Sequence, residues 1–220
     1  MIDYIQIFGE RCSGTGWVES LISKNTDVPV GSSKHGKHWI VDYDSIEPMD
    51  NTLFISVFKD PYAWIASMKR FPHHFINRNA VMWSMGMSEF ISMPVISYEE
   101  GHGILDPLFK NISECRNVKN GNLLGIQGRV KNYAVLKYEN LLQDPHCLQK
   151  ALSDFAIPVK DEFTDDLRQW CGNVHLEQQF GRKNYYLNKL YLKEFTREHL
   201  DYINSDLDES LEHKLGYELV

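Results

Sequence analysis

Residues 4–23 read YIQIFGERCSGTGWVESLIS. Tyr4–Phe8 is a short run of β-branched and aromatic residues that stops at Gly9, the pattern of a buried strand. From Trp17 to Ser23 the apolar residues Val18, Leu21 and Ile22 fall at helical spacing. The stretch is expected to fold as strand, loop, helix. Such a turn leaves backbone N–H groups unpaired at the helix start, where the helix dipole also favours an anion. Gly9, Gly14 and Gly16 let the backbone curl closely, Ser13 and Thr15 offer hydroxyls, and Arg11 adds positive charge. The spacing from Gly9 to Gly14 is that of a Walker-type phosphate loop, yet Thr15 and Gly16 stand where that loop carries Lys and Ser/Thr. The loop therefore suits a phosphate that needs no metal and is not itself cleaved. A tight turn that needs glycines and binds nothing is the alternative.

Further along, LFISVF at Leu53–Phe58 predicts a second strand, which runs into Lys59-Asp60-Pro61. Asp60 can cap a helix and Pro61 fits its first turn, and that helix continues through Trp64, Ile65 and Met68. A third strand is expected at Tyr133–Leu136, followed by YENLL and a helix from about His146 to Phe155. Strands alternating with helices predict a three-layer α/β fold, a central parallel sheet flanked by helices. Ligands of such sheets sit beyond the carboxyl ends of the strands, where the loops after Phe8 and Phe58 both fall. Residues 71–103 are rich in Met, His and aromatics and read as a substrate-side excursion; a helical hairpin with Met and Trp as core filler is the alternative. The C-terminus predicts two short helices with Thr196 and Asp206 as N-caps, Asp206 and Glu209 having capping-box spacing.

A chain of 220 residues suits a single domain spanning 1–220, and 43% hydrophobic with 24% charged residues places it among ordinary globular proteins. The net charge of −7 argues against broad nucleic-acid or anionic-membrane binding and leaves room for a local basic anion site. The opening MIDYIQIFGERC has neither a basic n-region nor an apolar h-region, and no apolar run approaches the ~20 residues of a membrane span. Cys12, Cys115, Cys147 and Cys171 include no C-x-x-C pair, which disfavours a disulfide framework or a zinc site. A reduced cytoplasmic setting, with no membrane and no nucleic-acid partner, is the expectation.

Ser13-Gly14-Thr15-x-Trp17 resembles the S-G-T-x-W core of the sulfotransferase family, and Gly9-Glu10-Arg11-x-Ser13-Gly14-Thr15 is similar to a bacterial and viral-like branch of it. The resemblance implies a P-loop NTPase-like topology. It also implies that Arg11, Cys12, Ser13, Gly14, Thr15, Gly16 and Trp17 surround the 5′-phosphosulfate of 3′-phosphoadenylyl sulfate (PAPS). Lys59-x-Pro61 with Ser67 resembles the family's basic residue, x-Pro, and a Ser eight positions after the basic residue, a pair that grips the 3′-phosphate. Family members usually carry Arg there. Lys59 keeps the charge and lacks the bidentate fork, which implies a weaker or less selective grip. Tyr138–Pro145 resembles the family's Y-E-D-L-L-x-D-P segment, whose role is mainly structural. Gly181-Arg182-Lys183 resembles the late basic loop that closes over the 3′-phosphate, although Asn184 stands where Gly often follows; ordinary surface charge is the alternative. LDESLEHKLGYEL is similar to the closing helix, so the resemblance runs from about residue 4 to 219 and is weakest across 71–103.

Transfer of a sulfuryl group to a hydroxyl or amine needs a base near the acceptor, stabilisation of charge on the bridging oxygen, and in-line placement. The family manages this without a metal, releasing the desulfated product PAP. Lys34-His35-Gly36 looks like a segment of the same branch, and the near-neutral pKa of histidine suits a base: His35 first, His38 second. The family's catalytic lysine would stand at Cys12, so Lys34 and Arg11 are expected to share its role. The acceptor, a small molecule or glycan, is not readable. Two other readings stay open: a non-catalytic nucleotide binder on the same fold, and a P-loop kinase, which the missing Lys-Ser/Thr disfavours.

Overall fold

The computed structural model describes residues 1–31, 36–46, 49–72, 84–98, 105–165 and 183–220. Its strands are β1 (Tyr4–Phe8), β2 (Val30–Gly31), β3 (Thr52–Phe58), β4 (Val95–Tyr98), β5 (Leu105–Phe109) and β6 (Tyr133–Lys137). β2, β1, β3 and β6 lie side by side in that order as a parallel sheet, with Ile5 opposite Leu53 and Ile55 opposite Ala134. The three strands expected from the sequence are β1, β3 and β6; β2 is a two-residue edge too short to register as a hydrophobic run.

Alternation along the strands divides the apolar residues between two cores. Ile5, Ile7, Leu53, Ile55, Val57 and Leu136 face one side, while Phe8, Phe54 and Phe58 face the other. On the first side pack α1 (Thr15–Asn25), α2 (Pro61–Arg70), α5 (Tyr138–Gln143), α6 (Cys147–Ser153) and α7 (Arg197–Asp206). On the second side lie Leu123 of α4 (Ile112–Gly125), Leu211 of α8 (Glu209–Lys214) and the neighbouring Leu215. The result is a mixed α/β fold, a four-stranded parallel sheet flanked by helices. Burial on both faces is why β1 and β3 read as nearly unbroken apolar runs.

Local signals set the helix ends. The Asp60 carboxylate accepts from the amides of Tyr62 and Ala63, with Pro61 in the first turn. Thr196 and His199 form a reciprocal capping box on α7. The expectation that Asp206 caps the last helix is corrected: Asp206 is the final residue of α7, bonded to Lys110 and Asn111, and Asp208 is the cap, accepting from Leu211. The cap sits two residues later because α7 continues for one more half-turn than the pattern suggested.

Within 71–103, residues 73–83 and 99–103 lie outside the described residues. The remainder forms α3 (Met87–Ser92) and β4, which pairs antiparallel with β5. Phe90, Ile91 and Val95 enter the main core. Among the described residues no helix is long and apolar enough to cross a membrane.

Candidate functional site

The chain passes from β1 through α1 to β2 on one side of the sheet, then crosses to β3 on the other side of β1. Such a reversal of direction opens a crevice at the carboxyl ends of the strands. The loops after β1 and β3 meet there.

The first loop is held by backbone geometry that few side chains tolerate. Gly14 is the N-cap of α1 at φ 97°, and a Cβ there would come 2.5 Å from the Tyr138 ring. Cys12 also adopts a left-handed conformation, φ 59°. The Ser13 hydroxyl donates to the Glu10 carbonyl, so its proton closes the turn. No side chain among the described residues caps α1, and its first turn holds no acidic residue. The amides of Thr15, Gly16 and Trp17 thus begin an eleven-residue helix with a positive dipole end directed at the crevice. The Trp17 indole N–H is buried and has no hydrogen-bond partner among the described residues.

Beneath the loop sit two buried ion pairs. Lys119 Nζ lies 2.9 Å from Glu10 Oε1 and donates to the His38 carbonyl. Arg116 grips Glu212 through two bonds of 2.6 and 2.8 Å and donates to the Lys59 carbonyl at 2.9 Å. α4, which carries both cations, thereby fixes the positions of the two loops.

Lys59 leaves the end of β3 and turns inward. Its ammonium is 3.0 Å from Ser67 Oγ and 3.3 Å from the Cys12 carbonyl. It lies over the rings of Tyr186 and Tyr138 at 3.9 and 4.4 Å. Lys59 is 3% exposed and Ser67 4%, and no carboxylate among the described residues forms an ion pair with Lys59. A desolvated ammonium at a sheet end makes this pair a candidate anion site. The eight-residue spacing expected from the sequence thus brings Lys59 and Ser67 into contact. One turn beyond Ser67, Arg70 bonds Tyr185 Oη and Glu194 and lies 4.7 Å from the Tyr185 ring.

Tyr186 completes this cluster, its hydroxyl 3.0 Å from Ser67 Oγ. Burial alone raises a phenol; the Lys59 ammonium outweighs it, with help from Ser67 and Arg70, and holds Tyr186 below its ordinary 10.0. Tyr138, Tyr185, Tyr186 and Tyr191 stack edgewise or tilted on one another, and Tyr138 also meets Trp17 edge-on at 5.7 Å. Sequence reasoning missed Arg70, Tyr138 and Tyr186 as members of the site. Arg70 was findable, because it falls three residues after Ser67 on the same helix face. Tyr186 lies 119 residues from Ser67, and no spacing rule reaches it.

His38 is held by the loop. Its Nδ1 donates to the Gly9 carbonyl at 2.6 Å, which places the proton on Nδ1. Burial pushes its pKa down to about 3, making it a weak base near neutrality. Burial also pushes the Cys12 thiol up to about 11, and its Sγ faces the Ser67 carbonyl at 3.9 Å. Arg11 is half-buried beside them, its carbonyl accepting from Trp64 Nε1 at 2.9 Å. Lys183 lies in the helical stretch 183–187 that carries Tyr186. Lys34, His35 and Arg182 lie outside the described residues. No family model, no curated protein and no solved structure matches the chain.

Proposed function

We propose that this chain is a sulfotransferase that moves a sulfuryl group from PAPS to a hydroxyl or amine acceptor, on a single domain of P-loop NTPase-like topology. The observation that carries the reading is the buried Lys59 ammonium, 3.0 Å from Ser67 Oγ and without a carboxylate partner among the described residues. It stands at the same sheet end as the uncapped start of α1. Two anion-attracting features separated by a loop fit a ligand with two phosphate positions. The first-turn amides of Thr15, Gly16 and Trp17 would hold the 5′ end, and Lys59 with Ser67 the 3′-phosphate. Arg182 and Lys183 follow from the sequence resemblance as further cations for that phosphate.

Bound PAPS supplies the activated sulfuryl group; the chain supplies position and charge. Arg11 and Lys34 would offset charge on the bridging oxygen. His35 would take the acceptor's proton, a role for which the low basicity of His38 makes that residue unsuited. A nucleotide binder without transfer activity is the second reading, and Cys12 favours it, since a half-buried neutral thiol stands where the family's catalytic lysine would be.

Two measurements test this. Calorimetry with PAP should show saturable one-site binding that ATP does not match; absence of PAP binding refutes the donor assignment. Labelled sulfate transfer from PAPS to a panel of phenols, amines and glycans separates the two readings. Binding without transfer across the panel supports the binder.

A further inference from the structure

We infer that Tyr186 is a built-in occupant of the Lys59–Ser67 anion seat, which an incoming phosphate must displace. The inference rests on the reading of that pair as a phosphate site. Proton accounting supports it. The Ser67 hydroxyl donates its one proton to the Ala63 carbonyl at 2.7 Å. Its oxygen then accepts from Lys59 Nζ at 3.0 Å and shares a hydrogen bond with the Tyr186 hydroxyl, also at 3.0 Å. The seat is therefore saturated by the protein itself. For a phosphate to accept from Ser67, the serine proton has to swing away from Ala63 and the phenol has to leave.

Different elements supply the walls around the seat. Tyr138 directly follows β6, and its ring is wedged against Gly14. The Cys12 carbonyl belongs to the loop braced by the Glu10–Lys119 pair, and Ser67 sits within α2. Tyr186 lies in the helical stretch 183–187, outside the four-stranded sheet. Its ring lies 3.9 Å from the Lys59 ammonium and meets edge-on the Tyr138 ring, which lies 4.4 Å from the same ammonium. Phenol and phosphate compete for the same donors, so the apparent affinity for the phosphate is reduced by the fraction of chains in which the phenol is seated.

The test is calorimetry on wild-type, Tyr186→Phe and Tyr186→Ala chains with PAP, adenosine 5′-monophosphate and inorganic phosphate, folding being checked by circular dichroism. Tyr186→Ala should bind PAP about tenfold more tightly than wild type, the worth of one hydrogen bond and one cation–π contact released. Tyr186→Phe, which keeps the ring and loses the donor, should show a smaller gain and carries the test should the alanine chain fail to fold. Affinity for adenosine 5′-monophosphate, which lacks the 3′-phosphate, should not change. Unchanged or weaker PAP binding by a folded variant, with wild type binding PAP, overturns the inference and leaves the donor reading intact. Tighter inorganic phosphate in Tyr186→Ala with no PAP binding in any chain upholds the occupant role and refutes the donor reading. No binding of either ligand by any chain refutes both.

Discussion

Replacing Lys59 by Met removes one ammonium while keeping most of the side-chain volume, and the structure separates its effect on folding from its effect on binding. Lys59 donates to Ser67 Oγ and the Cys12 carbonyl, at 3.0 and 3.3 Å, and lies over two tyrosine rings. Charge-assisted hydrogen bonds contribute about 1.5 kcal/mol each and cation–π contacts about 1 kcal/mol each, roughly 5 kcal/mol together. Against this stands the desolvation of an ammonium that is 3% exposed, a cost of several kcal/mol. The two nearly cancel, so Lys59→Met should change the urea unfolding free energy by no more than about 1 kcal/mol. Binding is different, because a phosphate would lose a charged donor in a dry site, about 2–3 kcal/mol or roughly 30–150-fold in the PAP dissociation constant. Urea denaturation and calorimetry on the same preparations measure both. A stability loss near 3 kcal/mol with PAP affinity unchanged would show Lys59 to be a structural strut and refute the reasoning.

Other consequences follow from the loop and its supports. The His38 imidazole titrates near 3 in the folded chain and near 6.5 when unfolded, so between those values the unfolded state binds the extra proton and stability falls as the pH drops. At pH 5 this amounts to about 2 kcal/mol, and His38→Asn should flatten the urea-midpoint profile between pH 6.5 and 5 by that amount. Removing one member of the buried Arg116–Glu212 pair, as in Glu212→Gln, should cost about 3–5 kcal/mol by urea unfolding, while Arg116→Met with Glu212→Leu together should cost clearly less. Gly14→Ala forces a Cβ to 2.5 Å from the Tyr138 ring in a left-handed backbone conformation and should lower stability by about 2–4 kcal/mol. With its thiol raised to about 11, Cys12 stays protonated near neutrality, so Cys12→Ala should keep PAP affinity within about threefold, and the native thiol should react slowly with iodoacetamide.

Much of the sheet was legible because its two central strands, β1 and β3, are apolar on both faces. YIQIF and LFISVF announce buried strands whatever surrounds them, and each stops at a residue that turns the chain, whereas YAVL marks the partly exposed strand β6. Asp60-Pro61 likewise marks the start of α2 without help from tertiary contacts. The antiparallel pair β4–β5 was not legible, since its residues carry no clear alternation and pairing depends on the partner strand. α4 also went unread, although Asn111 caps it and bonds Glu114, because its polar face is buried by ion pairs that sequence periodicity counts as solvent-facing.

The sequence by itself determined the strand–loop–helix at residues 4–25, the cap at Asp60, and the spacing that makes Lys59 and Ser67 neighbours, all properties of covalent order and local backbone geometry. Only the tertiary structure decided what surrounds that pair. Two tyrosines, 79 and 127 positions beyond Lys59 by residue number, cover its ammonium, and Arg116 of α4 pins its carbonyl. Burial and charge compensation are set by which distant segments meet, and local spacing carries no information about such encounters.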